Sequence, residues 1–451
     1  MKECLNKLGA EPTSQQLEKM AIFIHESMCQ SSRNYHSVDH VFDIIEGWDD
    51  AIGILAAYFH DCIYYTVDGG LSPIQAEVLG NILIESPNDG ICLLNDPTDE
   101  LLQLTLTIFG IDIEQEIRMG LNEFLSALVA LRELYAVLDL PDLAKIACCI
   151  EATIPFRPDS EDGKTTMDQL FDRLQKANSD FNLGCSESEL VESVQRAAVL
   201  ANRDVGNFGS EDREYFLDNT WSLLPETNKS LRQNHCYTVN EFQLALFKMC
   251  GFFSFVKPNV IFSSFRGIPS IEELNRLQFQ AKRNLEIGKA YVGAKTLSVS
   301  LLAAFATLTG GDAPISLFMG DLPSRHHISR RLEDYLPQEE PPSDETCDPE
   351  IYRILLYGRK SEAAFDIRQS PLAAYLYACL GDSGIEKCLT ELRLQLMTPQ
   401  TARSLLFDYL PRSAVIRVGR NMAKIAVSRE QLILPLVEEL EKTNPGEFAV
   451  N

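Results

Sequence analysis

Apolar residues return at intervals of three and four along almost the whole chain, and few stretches alternate with a period of two. That pattern excludes most folds. A sheet needs side chains that alternate between faces, whereas a helix gathers every third or fourth residue on one side. In "QQLEKMAIFIHESMCQ" Leu17, Met20, Ile24 and Met28 fall on one face. The same spacing runs through "NEFLSALVALRELYAVL", "LVESVQRAAVLANRD", "EELNRLQFQAKRNLEIGKAYVG" and "SREQLILPLVEELEKT". "AIGILAAYFHDCIYY", from Ala51, is apolar almost throughout, as a buried helix is. The expected fold class is all-α.

A chain of 451 residues is too long for one ordinary domain. "FRPDSEDGKTT" from Phe156 reads as a polar loop, and "LLPETNKSLRQNH" from Leu223 marks a shift in composition. "PQEEPPSDETCDP" carries four prolines and almost no apolar residue, the mark of a linker. The expected organisation is an N-terminal domain over 1–230, a helical region over 231–336, an acidic Pro-rich linker over 337–349 and a C-terminal helical region over 350–451.

Composition narrows the function classes. Lys and Arg number 40 against 65 Asp and Glu, a net charge of -25, which repels phosphate backbones and argues against general nucleic-acid binding. The 12 cysteines are scattered with no C-x-x-C pair, so they read as buried thiols of a reducing compartment. The N-terminal stretch "MKECLNKLGAEPTSQQ" has no apolar signal core. The apolar stretch from Leu297 reads as too short and too interrupted to span a bilayer. A soluble cytoplasmic protein with no membrane partner is expected, and delivery into another cell by an unrecognised signal stays open.

Against this background the histidines stand out, because there are only seven. His36 and His40 lie four apart, a spacing that puts both on one face of a helix. His60 is followed directly by Asp61 near the end of the next apolar run. Two imidazoles and a carboxylate suit a divalent metal. The ordinary alternative is a satisfied core histidine, expected for His25, His235, His326 and His327. His60 fits that alternative less well. An imidazole buried beside a carboxylate needs partners, and a metal supplies them.

"RNYHSVDHVFDII" followed by "LAAYFHDCIYY" resembles the HD-domain superfamily of metal-dependent phosphohydrolases, in the subgroup with R-x-Y-H-x-x-x-H and A-A-x-F-H-D-x-x-Y motifs. The first segment is also similar to the Y-H-N-x-x-H-A-x-D-V stretch of cyclic-nucleotide phosphodiesterases, with Ser37 in place of Asn. The resemblance covers roughly residues 15 to 225. It implies an HD-domain-like helical bundle followed by the additional helical regions. It also implies that His40, His60, Asp61 and Asp204 bind one divalent metal (Mn, Fe, Zn, Co, Ni or Mg), with Asp61 able to bridge to a second. Asp204 is chosen because "RAAVLANRDVGNFG" resembles the subgroup's ending; Asp142 and Asp180 are the alternatives, and residues 85 to 135 read as a helical insertion. By the same resemblance the metal activates water, Asp61 is catalytic as well as a ligand, and His36 protonates the leaving oxygen. Arg33 either clamps a substrate phosphate or is a surface arginine at a helix start. Glu77, in "SPIQAEVLGN", is either a water-orienting residue or a helix-surface glutamate.

The chain departs from the pattern in two places. "HDCIYYTVDGG" lacks the further histidine of the phosphodiesterases, and "CCIEATIPFRP" has Pro155 and Phe156 where the subgroup often has histidine. The expected function is hydrolysis of a phosphomonoester or phosphodiester, a nucleotide by preference, by metal-activated water. The alternative is a non-catalytic HD-fold scaffold or regulatory protein with a structural metal. A two-iron oxygenase is the third reading, and it would need histidines this region lacks. The C-terminal half offers no nameable chemistry and is left for self-association or a protein partner. "TGGDAPISLFMGD" reads as a turn, and the basic residues of "RSAVIRVGRNMAKIAVSREQ" as a solvated helix face.

Overall fold

Helices need ends as well as faces, and this chain supplies them. Thr13 with Gln16, Ser72 with Gln75, Thr165 with Asp168 and Ser186 with Glu189 each form a reciprocal capping box, which satisfies N–H groups that a helix start leaves unpaired. Ser270 likewise accepts from the N–H of Glu273 at 3.3 Å, while the Glu273 carboxylate pairs with Arg276.

The structure is a computed structural model that describes residues 1–80, 82–85, 91–94, 96–112, 119–232, 236–321, 330–337, 346–393 and 395–442. It is all-α: 69% of it is helical, in 20 helices. The chain divides into two compact units, Met1–Glu211 with Val256–Lys282, and Asp212–Phe255 with Arg283–Asn451. Both are discontinuous in sequence.

The first unit contains α1 (Lys2–Lys7), α2 (Ser14–Met28), α3 (Val38–Ile45), α4 (Ala51–Phe59), α5 (Tyr65–Asp68), α6 (Pro73–Leu79), α7 (Glu100–Phe109), α8 (Leu121–Leu134), α9 (Leu140–Ala152), α10 (Thr166–Asp180) and α11 (Glu187–Asp204). A short antiparallel pair, β1 (Leu83–Glu85) and β2 (Ile91–Leu93), precedes α7. The interval 85 to 135, expected as a helical insertion, thus begins in a strand pair. Its helix α8 is part of the core, buried from Phe124 to Leu131. At the centre lies α9, which touches α4, α7, α8, α10 and α11. Most of its residues are buried, Cys148 and Cys149 among them, as in a helix enclosed by others.

The second unit contains α12 (Arg213–Thr227), α13 (Val239–Phe255), α15 (Ser316–Met319), α16 (Pro349–Tyr357), α17 (Pro371–Leu392), α18 (Pro399–Ser404), α19 (Arg412–Ile425) and α20 (Glu430–Lys442). Between α13 and α15 runs α14 (Ile271–Leu308), whose residues through Lys282 belong to the first unit and the rest to the second. The stretch from Leu297, expected to be too short to cross a membrane, lies inside this helix of 38 residues. By length and composition α14 could cross one, but 89% of its apolar window is buried within the protein, as in a core helix. The basic residues of α19 are partly neutralised, since Arg420 pairs with Glu441 at 2.5 Å.

Of the predicted linker 337–349, residues 338–345 lie outside the described residues, and Pro349 opens α16. His235, His326 and His327 also lie outside them. His25 is not a core residue. It is on the exposed face of α2, its Nε2 3.5 Å from the Cys29 thiol.

Candidate metal centre

Three pieces of local structure present the clustered side chains. The first is the start of α3. Ser37 occupies its N-cap in extended conformation, so His36 precedes the helix and His40 lies within it. The two imidazoles are therefore not on one helical face, as their spacing suggested, but their ring centroids are still 6.0 Å apart. The second piece is the end of α4, where His60 is the C-cap residue. Asp50 starts this helix by accepting from the N–H of Gly53. A Cβ at Gly53 would come within 2.1 Å of the Trp48 ring, so only glycine lets the turn before α4 close over it. The third piece is the end of α11, whose last residue is Asp204.

Ion pairs and caps hold these ends together. Arg203 donates to the carbonyls of Ile44 and Glu46 at 2.7 and 3.1 Å, capping α3 from α11. Its guanidinium also lies over Trp48. Arg196 donates to both oxygens of Asp50 at 2.7 Å, tying α11 to the start of α4.

The result is a convergence of His40, His60, Asp61 and Asp204, with one ligand atom from each lying within 4.8 Å of all the others. His40 Nε2 is 3.0 Å from Asp204 Oδ1, and His60 Nε2 is 3.3 Å from that oxygen and 3.0 Å from Asp61 Oδ2. His60, 1% exposed, faces the Ala57 carbonyl with Nδ1 at 2.8 Å. A carbonyl only accepts, so Nδ1 carries a proton and Nε2 is the nitrogen left to the two carboxylate oxygens. That arrangement needs a positive charge, either a proton on Nε2 or a metal ion in its place. The backbone tether is also the one that orients metal-binding imidazoles.

Without a metal ion that charge is a proton on His60. Burial alone would depress the His60 imidazolium, but Asp61 and Asp204 outweigh it and hold its pKa well above the ordinary value. Burial would likewise lift both carboxyls. Facing His60, His36 and His40, Asp61 falls below the usual carboxylate range, and Asp204 is brought down to about 2 by His40 and His60. Asp61 Oδ2 is buried and accepts no hydrogen bond among the described residues. His60 Nε2 lies 3.0 Å from it. Two nitrogens and two oxygens, one of the oxygens buried without a donor, fit a divalent cation.

The remaining candidates take different places. His36 packs edge-on against Tyr64, ring centroids 4.7 Å apart, near enough to Asp61 to help hold it ionised. Arg33 is neither at the surface nor turned to a substrate. It is 7% exposed, and its guanidinium donates to Asp68 (2.6 Å), to the Asp61 carbonyl (2.5 Å) and to the Cys62 carbonyl. Its function here is to fix the backbone of the His–Asp pair. Glu77 is exposed on α6. Two residues earlier, buried Gln75 reaches the Cys62 carbonyl at 2.8 Å and the Ser27 hydroxyl. Asp180 ends α10 in solvent, and Asp142 pairs with Lys145; neither joins the cluster.

Arg33→Lys is expected to destabilise the protein by about 3 kcal/mol, because a point charge cannot replace the fork across Asp68 and two carbonyls. The urea midpoint should fall while KM for any substrate stays unchanged. A raised KM at unchanged stability would restore the phosphate-clamp reading.

Sequence reasoning missed Glu123. It sits in the first turn of α8, where Asn122 accepts from the N–H of Tyr65 and Ser126 from that of Ile63, each at 3.0 Å. This stitching brings α8 against the segment that follows Asp61. Burial, then the negative charges of Asp61 and Asp204, push the Glu123 carboxyl up to about 7, against its own backbone N–H and Arg157. The unfolded chain releases that proton near pH 4.5, the folded one near 7, so folding takes up a proton between them and stability falls as pH rises. In chelator-treated protein Glu123→Gln should therefore gain on wild type across this window, by up to about 3 kcal/mol at pH 8. Urea unfolding of both proteins at about pH 5 and pH 8 measures it. A pH-independent difference would remove Glu123 from the site's electrostatics.

Compared with protein-family models, curated proteins and solved structures, the chain matches none of them.

Proposed function

We propose that the first unit is a divalent-metal-dependent phosphohydrolase acting on a phosphomonoester or phosphodiester, with a nucleotide as the preferred substrate class. The observation that supports it most is Nε2 of His60, turned by the Ala57 carbonyl toward Asp61 and Asp204 at 3.0 and 3.3 Å. In this reading His40, His60, Asp61 and Asp204 hold the ion. The chemistry such an ion supplies is activation of water near neutral pH and polarisation of a phosphoryl oxygen.

The chain's own residues do the rest. Asp61 and Asp204 balance the charge of the ion. His60 keeps its lone pair inward because its other nitrogen is committed to the backbone. Arg33 holds the Asp61 carbonyl and so sets where that carboxylate points. His36, beside the cluster but outside the ligand set, donates a proton to the leaving oxygen. Glu123, whose carboxyl titrates near neutrality, is the second proton-carrying group within reach of the site's charges.

The test is His36→Ala, assayed with phosphomonoesters, phosphodiesters and nucleotides in the presence of Mn, Fe, Zn, Co, Ni or Mg. Turnover should fall by about 10²–10⁴-fold while metal content is unchanged. Absence of turnover in the wild type with every ion and ester, with metal bound, would favour the scaffold with a structural metal. Loss of metal in His36→Ala would make His36 a ligand instead of an acid.

A further inference from the structure

The second unit contains a cavity of about 160 Å³ that the phosphohydrolase reading does not use. Its lining surface is mostly apolar, with Phe242, Val299 and Leu302, and its charged residues are Lys295, Arg331, Asp321, Glu333 and Asp366, with Ser370 among the polar ones.

Some of these polar groups satisfy one another. Lys295 donates to Asp366 Oδ2 at 2.5 Å, and Arg359 reaches the same oxygen at 3.4 Å. Arg331 Nη2 donates to Glu333 Oε2 at 3.1 Å, and the other oxygen of Glu333 accepts from the N–H of Leu372 at 3.3 Å. Three groups are left over. Arg331 Nε, Arg331 Nη1 and Ser370 Oγ are buried and have no hydrogen-bond partner among the described residues. Arg331 is 9% exposed and Ser370 5%.

Burying two guanidinium N–H groups and a hydroxyl without partners is costly, and such exceptions call for an occupant. All three can donate to oxygen, and a guanidinium favours an oxyanion. The carboxylate bonded to Arg331, Glu333, engages only its Nη2. A cavity of about 150 Å³ accommodates a benzene ring. The apolar walls exclude a fully hydrated ion such as free phosphate.

The geometry points to a binding site for a small organic carboxylate with an apolar body of about benzoate size, its oxygens received by Arg331 and Ser370. The site belongs to the second unit alone and stands whether or not the first unit is a hydrolase.

The test is calorimetry and thermal unfolding of the full chain with a panel of monocarboxylates from butyrate to phenylpropionate, benzoate included. Benzamide and inorganic phosphate are the controls. A member of the panel should bind saturably and raise Tm with concentration. The amide corresponding to the best acid should bind about tenfold or more weakly. Arg331→Gln should weaken the acid by a similar factor, and Val299→Phe, which fills the cavity, should abolish binding. Asp61→Ala should leave binding intact, which separates this site from the metal centre. The proposal is overturned if no acid saturates below roughly 10 mM, if acid and amide bind equally, or if phosphate binds in their place. Where Arg331→Gln does not fold, the acid–amide comparison on the unsubstituted chain decides.

Discussion

Asp61→Ala protein, purified without chelator, is expected to carry no divalent metal, where the wild type retains about one ion per chain. Phosphoester hydrolysis should fall to background with it. The effect is large because Asp61 contributes what its neighbours cannot: a buried oxygen 3.0 Å from His60 Nε2 with no donor of its own. Its backbone is also pinned by Arg33, so no nearby side chain can move into the vacated position. Elemental analysis by mass spectrometry reads the result directly. Full metal retention in the variant would remove Asp61 from the ligand set. No metal in the wild type, even after incubation with manganese, iron, zinc or cobalt, would shift the reading to a non-catalytic scaffold.

Glu151→Ala is expected to cost about 3–5 kcal/mol of stability, a larger loss than that of Arg33→Lys. Glu151 is fully buried in α9, the helix at the centre of the first unit. Arg157 holds both of its oxygens at 2.5 and 3.1 Å, and Arg173 bonds one of them. Removing the carboxylate leaves two mostly buried guanidinium groups without it, a worse state than an exposed pair broken at the surface. Circular dichroism in urea should show the first unfolding transition displaced to much lower denaturant. A loss below about 1 kcal/mol would mean that both arginines reach water once freed.

The clustered residues are legible in the sequence, but their supports are not. His40, His60 and Asp61 can be read because few residue types suit a cation and the order of the motif is short-range. Asp204 comes only from the resemblance of "RAAVLANRDVGNFG" to the subgroup's ending. Arg33 escapes sequence reasoning because an arginine beside a histidine motif looks the same whether its fork grips a substrate or the carbonyl of Asp61. Only the fold shows Asp68 across from it. The resemblance suggests Glu77, yet α6, opened by the capping box at Ser72, buries Gln75 and leaves Glu77 exposed. Glu123 has no motif at all; its character comes from the burial of α8 against charges far away in the chain, on Asp61 before it and Asp204 after it. The spacing of His36 and His40 suggests a single helix, whereas Ser37, a good cap residue, is the sign that the helix begins between them. Helix class is the easiest inference, since periodicity is written directly in the chain.

The interleaving of the two units has a consequence for how the protein is made. A ribosome releases the chain from its N-terminus, and domains fold as their residues emerge. Here the first unit is incomplete until Lys282 is out, and by then Asp212–Phe255, the opening segment of the second, has already been synthesised. Phe265, a core residue of the first unit, arrives after that segment. Nascent chains halted before Val256 would therefore hold the whole His–Asp cluster in a unit that still lacks part of its core. Protease resistance of stalled chains should rise in one step near Lys282, not at the end of α11.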